Sequence, residues 1–384
     1  MSGPAMPIPY DILRLIWWAL LGVLLIGFAV LDGYDLGSAI LLPFAGKEDA
    51  ERRQIRETIE PNWEGHQVWF ILGGGAAFAA WPLLYAAAFS TFYLAMFLVL
   101  VALILRPVDL NFRGKLPGPG WRNFWDWGLA ASGFVAALVF GIAFGNLLLG
   151  VPFAFDSDLR VSYGGGFLEL LSPFAILAGL VSVAMLTMHG GNWLALKADG
   201  PVAERAGCIA RFAGLATAVL FALAGWWVAA QLDGYVLGGT VSHIGPANPL
   251  GQTVTRMTGA WLDNFRAVHW LAVAPTLGLA SCLLAAAIPA RRARKTAFLA
   301  SALGVAGIIA TAGIALFPFL MPSSTSPGTS LTVWNASSSA ATLSVMLIAT
   351  AVFLPIVLAY TAFALRVMRG RVRLADVIRR DSSY

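Results

Sequence analysis

ILRLIWWALLGVLLIGFAVLDGYDLGSAILLPF, residues 12–44, decides the fold. From Leu15 to Leu31 no residue is charged, and apolar character resumes after Asp32-Gly33-Tyr34-Asp35 and runs to Phe44. A helix of a water-soluble protein keeps a polar face; this stretch is apolar all round, as a bilayer-spanning helix is. About 20 such residues cross the hydrocarbon core, and this run is longer, so a tilt or bend is expected where the two carboxylates interrupt it. Asp32 and Asp35 stand three apart and share a face. No small-residue cleavage site follows the first apolar run, which reads as a retained helix.

Outward from this stretch the same signal recurs. Spans are expected near 12–44, 66–81, 84–105, 123–148, 167–188, 209–231, 268–289, 296–318 and 340–366. Residues 1–384 thus read as a single polytopic, all-α integral membrane domain of about nine transmembrane helices. Composition agrees. Of the 384 residues 59% are hydrophobic and 12% charged, about half the usual solvating charge of a soluble domain. Kinks are expected at Pro275 and Pro355.

The positive charges orient the chain. All but Arg14, Arg160, Arg256 and Arg266 of the 25 Lys and Arg residues fall in alternate loops and the C-terminal tail. These include Arg52, Arg53 and Arg56, then Arg113 and Arg122, then Arg205, then Arg291, Arg292 and Arg294. The positive-inside rule puts those loops and the C-terminus in the cytoplasm and the N-terminus in the periplasm. Basic residues dispersed in short loops argue against a nucleic-acid partner, despite a net charge of +5. The longer outer loops, 232–267 and 320–339, are expected to form a cap or contact surface. Cys208 and Cys282 read as two buried, unpaired thiols. Gly73-Gly74-Gly75, inside a span, reads as a close-packing site.

An ionisable residue inside a bilayer is a functional candidate by default. Asp32 and Asp35 on the first helix, Glu64 and His66 at the start of the second, Arg106 closing the third and Asp126 opening the fourth gather at the cytoplasmic ends. Asp32, Asp35, Glu64 and His66 are read as a proton path from the cytoplasm, against the plainer reading of Glu64 as a first-turn acid complementing the helix dipole. Arg106 and Asp126 are read as structural ion-pair residues, with Asp35 the expected partner of Arg106. Haem between helices needs His or Met at matched depth. His66 and His189 lie near the inner surface and His243 and His269 near the outer, so no haem, metal or other cofactor is assigned to this chain, and no residue in it is read as catalytic.

Several motifs carry a resemblance over nearly the whole chain. Ile16-Trp17-Trp18, Gly27-Phe28-Ala29-Val30, Asp32-Gly33-Tyr34-Asp35 and Trp63-Glu64-Gly65-His66-Gln67-Val68-Trp69 resemble subunit II of cytochrome bd-type quinol oxidases. So do Ala79-Ala80-Trp81-Pro82, Arg106-Pro107-Val108, Trp121-Arg122-Asn123-Phe124-Trp125-Asp126-Trp127-Gly128 and Phe317-Pro318-Phe319-Leu320-Met321-Pro322. The resemblance implies a haem-free subunit in the bacterial inner membrane. Its partner would be a subunit I carrying haem b and haem d, or a b-type variant, and a small single-helix accessory subunit often joins them. Quinol would be the substrate of the complex and dioxygen its oxidant, with cytoplasmic protons consumed. A quinone bound in this subunit is compatible with the resemblance. The family's motif positions fall on Asp35, Trp63, Arg106 and Asp126, and Trp69 is a candidate for the lining of a hydrophobic gas path. Glu64 stands where Asp is often found, and His66 where Asn is common. The competing class is a secondary transporter. Its support is the same intramembrane carboxylates and a short inverted echo, Leu31-Asp32-Gly33-Tyr34-Asp35-Leu36-Gly37 against Leu232-Asp233-Gly234-Tyr235-Val236-Leu237-Gly238.

Overall fold

The computed structural model describes residues 8–239, 242–288 and 293–381. The chain is built on helices, named here in order: α1 (Tyr10–Ala45), α2 (Asp49–Ile59), α3 (Trp63–Ala80), α4 (Pro82–Thr91), α5 (Tyr93–Phe112), α6 (Pro119–Leu149), α7 (Pro173–Lys197), α8 (Gly200–Ala230), α9 (Asp263–Ala267), α10 (Val273–Ala287), α11 (Arg294–Leu316), α12 (Ala340–Val367) and α13 (Leu374–Asp381). Proline in the first turn starts α4, α6, α7 and α8, where its missing N–H is not needed. Ser172 and Ser339 cap α7 and α12, accepting from the N–H of Ala175 and Thr342.

Eight helices among the described residues are long and apolar enough to cross a bilayer. The expected second span is the exception. It is present as α3, but it has 18 residues and opens with Trp63-Glu64-Gly65-His66-Gln67, which leaves a short apolar remainder. The expected span 84–105 is two helices, α4 and α5, which meet at Phe92. α1 is one continuous 36-residue helix through Asp32-Gly33-Tyr34-Asp35, about 54 Å at 1.5 Å per residue. The helix expected over 167–188 starts at Pro173 and continues to Lys197, so His189 lies within it. Pro275 sits in the first turn of α10, where no kink is needed, whereas Pro355 is internal to α12. Residue 289, the expected end of that tenth helix, and Arg291 and Arg292 lie outside the described residues.

α1 and α7 form the centre, with α6, α11 and α3 packed around α1. Glycine allows this approach. A Cβ at Gly37 would sit 1.9 Å from the Leu186 carbonyl oxygen, and one at Gly190 would sit 2.3 Å from the Gly37 carbonyl carbon. A Cβ added at Gly74 or Gly75, by contrast, would meet nothing among the described residues within 4 Å, and only Gly73 of the triplet is buried, where a Cβ would lie 4.0 Å from Leu25. α12 lies outermost, and only Leu343 of its residues is buried. Cys282 is buried as expected, but Cys208 is on the exposed side of α8.

The loops sort to two ends. At one, three antiparallel hairpins form a cap: β1 (Phe153–Phe155) with β2 (Val161–Tyr163), β3 (Asp233–Gly238) with β4 (Thr253–Thr258), and β5 (Phe319–Met321) with β6 (Leu331–Thr332). Arg14, fully buried, ties the start of α1 to this cap, donating to Ser337 Oγ at 2.7 Å and to the carbonyls of His243 and Gly245 at 2.7 and 3.0 Å. The arginine-rich loops lie at the other end, where Gln54 reaches Asp199 and the Val372 carbonyl, and Arg205 meets Glu51. The internal echo has no structural counterpart: its first copy is helical in α1 and its second is strand β3.

Candidate functional site

The buried ionisable side chains nearest the expected site come from α1, α3 and α5. The second half of α1 is buried on every side, because α6 and α7 cover it through the glycine contacts above. Asp32 and Asp35 are both 0% exposed and therefore must be neutralised or bonded. Arg106, near the end of α5 and 1% exposed, donates from both terminal nitrogens to the two oxygens of Asp32, at 2.6 and 3.2 Å. This is the fork geometry of a bidentate Arg–carboxylate pair.

Asp35 is not the partner of Arg106, contrary to the sequence expectation. One helical turn along, it accepts from His66 Nδ1 at 2.7 Å. His66 enters from the first turn of α3, and its Nε2 lies 3.2 Å from Tyr34 Oη. The Tyr34 ring is stacked on Trp193 at 4.0 Å between centroids and is held on another side by Phe298. The second oxygen of Asp35, Oδ1, is buried and has no hydrogen-bond partner among the described residues. The expected single cluster is therefore two separate units, Asp32–Arg106 and Asp35–His66–Tyr34.

Glu64 joins neither unit. It is exposed and makes no hydrogen bond or ion pair among the described residues, because it and His66 are two apart on α3 and point to different sides. Trp63 is half-buried beside it. Trp69 is buried against α1, where a Cβ on Gly27 would meet its ring at 2.5 Å.

A layer of ion pairs closes the arginine-rich end. Asp126 is fully buried and accepts from Arg113 at 2.5 and 2.9 Å and from Arg52 at 3.0 Å. Arg56 holds Asp109 at 2.5 Å. Asp49 receives Arg113 at 2.8 Å, Arg53 at 2.8 Å and Arg122 at 3.0 Å. Burial alone would push the Asp49 carboxyl up, but Arg113, with Arg53 and Arg122, outweighs it and holds it below its ordinary 3.8. For Glu51 burial is likewise outweighed, here by the bond from Arg205 and by the backbone N–H groups of Lys47 and Glu48.

Sequence reasoning missed Tyr34, Asp109 and Asp49. The signals were available. Tyr34 lies between the two carboxylates of α1, and Asp109 stands three residues beyond Arg106 on one helix.

Deeper among the helices is a cavity of about 560 Å³ between α1, α6, α7, α8, α10 and α11. Phe28, Phe70 and Phe140 form one wall, with centroids 5.2–5.4 Å apart. Ser182, Thr276 and Thr311 bring the only hydroxyls to its lining among the described residues.

Residues 13–368 match the family model for cytochrome bd terminal oxidase subunit II. The chain belongs to that family. It is 49% identical over 376 residues to the cytochrome bd-I ubiquinol oxidase subunit 2 of Escherichia coli, covering 98% of this chain and 99% of that one. To the probable cytochrome oxidase subunit 2 of Haemophilus influenzae it is 48% identical over 365 residues, covering 95% and 96%. The structure of bd oxidase from Geobacillus thermodenitrificans shares its fold, with a TM-score of 0.69 over 93% of this chain and 98% of that one at 16% identity. As a bd oxidase subunit II, the chain is one component of an oxidoreductase complex of aerobic respiration, in which a subunit I is its partner. The transporter reading has no support: its relatives are oxidase subunits, and its one internal echo is helix in one copy and strand in the other.

Proposed function

We propose that this chain is the haem-free subunit of an inner-membrane complex that oxidises quinol and reduces dioxygen to water, and that it supports its haem-bearing partner and passes cytoplasmic protons toward it. The observation that carries the reading is the match, over 98% of the chain, to a ubiquinol oxidase subunit 2. Haem b and haem d, or a b-type variant, belong in this reading to subunit I. The buried histidines support that assignment. His66 uses both ring nitrogens on Asp35 and Tyr34, and His189 uses both on Ser301 and the Val30 carbonyl, so neither presents a free nitrogen to iron.

The arginine-rich end faces the cytoplasm by the positive-inside rule, and the hairpin cap faces the periplasm. Protons then enter on the side where Glu64, His66, Asp35 and Asp32 lie. Glu64 is turned to the outside of this chain, toward lipid or a partner subunit, and collects protons at that surface. Asp35 and His66 hold them inside the bundle. Asp32, locked in its pair with Arg106, sets the local charge.

A membrane-embedded apolar cavity of about 560 Å³ is of a size that takes small organic ligands. An isoprenoid quinone would lay its tail against Phe28, Phe70 and Phe140, with Ser182 as a nearby hydroxyl. Trp69, which packs on Gly27 of α1 outside the lining of that cavity, would border a hydrocarbon-like route for dioxygen. A small single-helix accessory subunit has exposed apolar surface available on α5 and α12.

Glu64→Gln in the assembled complex tests the proton role. Quinol-driven oxygen uptake is expected to slow with haem content unchanged. Full activity, or loss of haem together with activity, counts against it.

A further inference from the structure

The proton reading leaves one buried group without a task, the hydroxyl of Tyr34, and the geometry around His66 gives it one. With Asp35 ionised, its Oδ2 can only accept, so His66 Nδ1 carries hydrogen across the 2.7 Å contact. In the neutral ring Nε2 is then an acceptor, and Tyr34 donates to it across 3.2 Å. Trp193, stacked at 4.0 Å, and Phe298 fix the phenol so that its oxygen stays on this line. The titratable and charged groups around the unit are Asp32 on α1, Arg106 on α5 and His189 on α7, whose ring centroid is 6.0 Å from that of Tyr34. Asp32 and Arg106 neutralise each other, and both His189 nitrogens are already bonded.

We propose that Tyr34 is a positioning residue for proton transfer through His66, holding the resting imidazole in its Nδ1–H tautomer and serving its Nε2 in both protonation states. The inference rests on the proton role proposed above. When a proton arrives from the cytoplasm on a hydronium ion, one O–H bond of that ion breaks, leaving water, as a new N–H bond forms at Nε2. The phenol turns from donor to acceptor, which its oxygen can do and a carbon cannot. The imidazolium then breaks its Nδ1–H bond and forms an O–H bond on Asp35 Oδ2, which leaves one proton on the carboxyl and a neutral ring. Rotation of the Asp35 carboxyl about its Cβ–Cγ bond then carries the protonated oxygen to the Oδ1 position, which has no partner among the described residues, and the proton can be relayed from there. No electron moves in these steps.

Tyr34→Phe keeps the ring on Trp193 and removes only the hydroxyl. In the assembled complex in native membranes, haem content should match the parent. Quinol-driven oxygen uptake should fall roughly tenfold, less than the roughly 10²–10⁴-fold supplied by a group that itself transfers the proton, because Tyr34 only positions the ring. The alkaline limb of its pH profile should move to lower pH, because proton supply limits sooner. His66→Asn should slow turnover similarly, and adding Tyr34→Phe to it should change nothing more. Full activity in His66→Asn overturns the underlying proton role. A slow His66→Asn with a normal Tyr34→Phe, or additive losses in the double variant, overturns the assignment of Tyr34 alone. If Tyr34→Phe assembles poorly, fluorotyrosine at position 34 retains shape and hydroxyl while weakening the oxygen as acceptor. An unmoved alkaline limb there also overturns the assignment.

Discussion

Arg106→Met is the sharpest test of how the intramembrane charges are held. The side chain is 1% exposed and its only hydrogen-bond partner among the described residues is Asp32, whose two oxygens both receive its terminal nitrogens at 2.6 and 3.2 Å. Met fills much the same volume but leaves Asp32 as an uncompensated buried charge one turn from Asp35. Removing one partner of such a pair destabilises by about 3–5 kcal/mol, or roughly two to nearly four orders of magnitude in the folded-to-unfolded ratio. Removing both partners together, in Asp32→Leu with Arg106→Met, strands nothing and should restore most of the loss, since replacement of a buried pair by apolar groups is often near neutral. The assay is the yield of assembled oxidase from membranes, read by haem absorbance, together with its thermal denaturation in mild detergent. The single variant should assemble poorly and melt early, and the double variant should recover both. A single variant as stable as the parent, or a double variant no better than the single, refutes the argument that the pair is closed and buried.

Other outcomes follow from particular contacts. Gly37→Ala would drive a Cβ to 1.9 Å from the Leu186 carbonyl oxygen, so α1 and α7 must separate; a loss of about 1–3 kcal/mol is expected from overpacking, measurable as an earlier thermal transition, and an unchanged transition would contradict the packing. The carboxyls of Asp49 and Glu51 are held below their ordinary 3.8 and 4.5, so their contribution is complete above pH 4.5 and is lost as pH falls through the lower folded values. Amide exchange in α2 should therefore rise at strongly acidic pH while that of α7 does not; equal change in both would argue against the ion-pair layer as the cause. Ser182→Phe should fill part of the apolar cavity and reduce the quinone that co-purifies with the complex, and unchanged quinone content would place that ligand elsewhere.

The architecture was legible because bilayer physics leaves few choices. Long uncharged runs such as Leu15–Leu31 have one stable form in hydrocarbon, and the Arg residues sort the loops without reference to tertiary structure. What failed was local. The sequence reading ended the helix of His189 at Met188, because the polar His189-Gly190-Gly191-Asn192 run resembles a helix end in water. Here those residues are buried against α1, and Gly190 supplies the close approach that keeps the helix going. α4 and α5 read as one span because no charge or proline marks Phe92. The charged residues were found, but their partners were not. Spacing on α1 placed Asp32 and Asp35 on one face, yet which of them meets Arg106 depends on the relative rotation and depth of α3 and α5, which no one-dimensional pattern encodes. Tyr34 was passed over because tyrosine among apolar residues usually signals only packing.

The central claim is that this chain works as one half of an oxidase rather than alone. The most direct measurement is a visible spectrum and a denaturing gel of the tagged chain purified from its native membranes in mild detergent. The account predicts haem absorbance accompanied by a second large subunit, with quinol-driven oxygen uptake in the same fraction. A colourless, well-folded chain that purifies without a partner would contradict it.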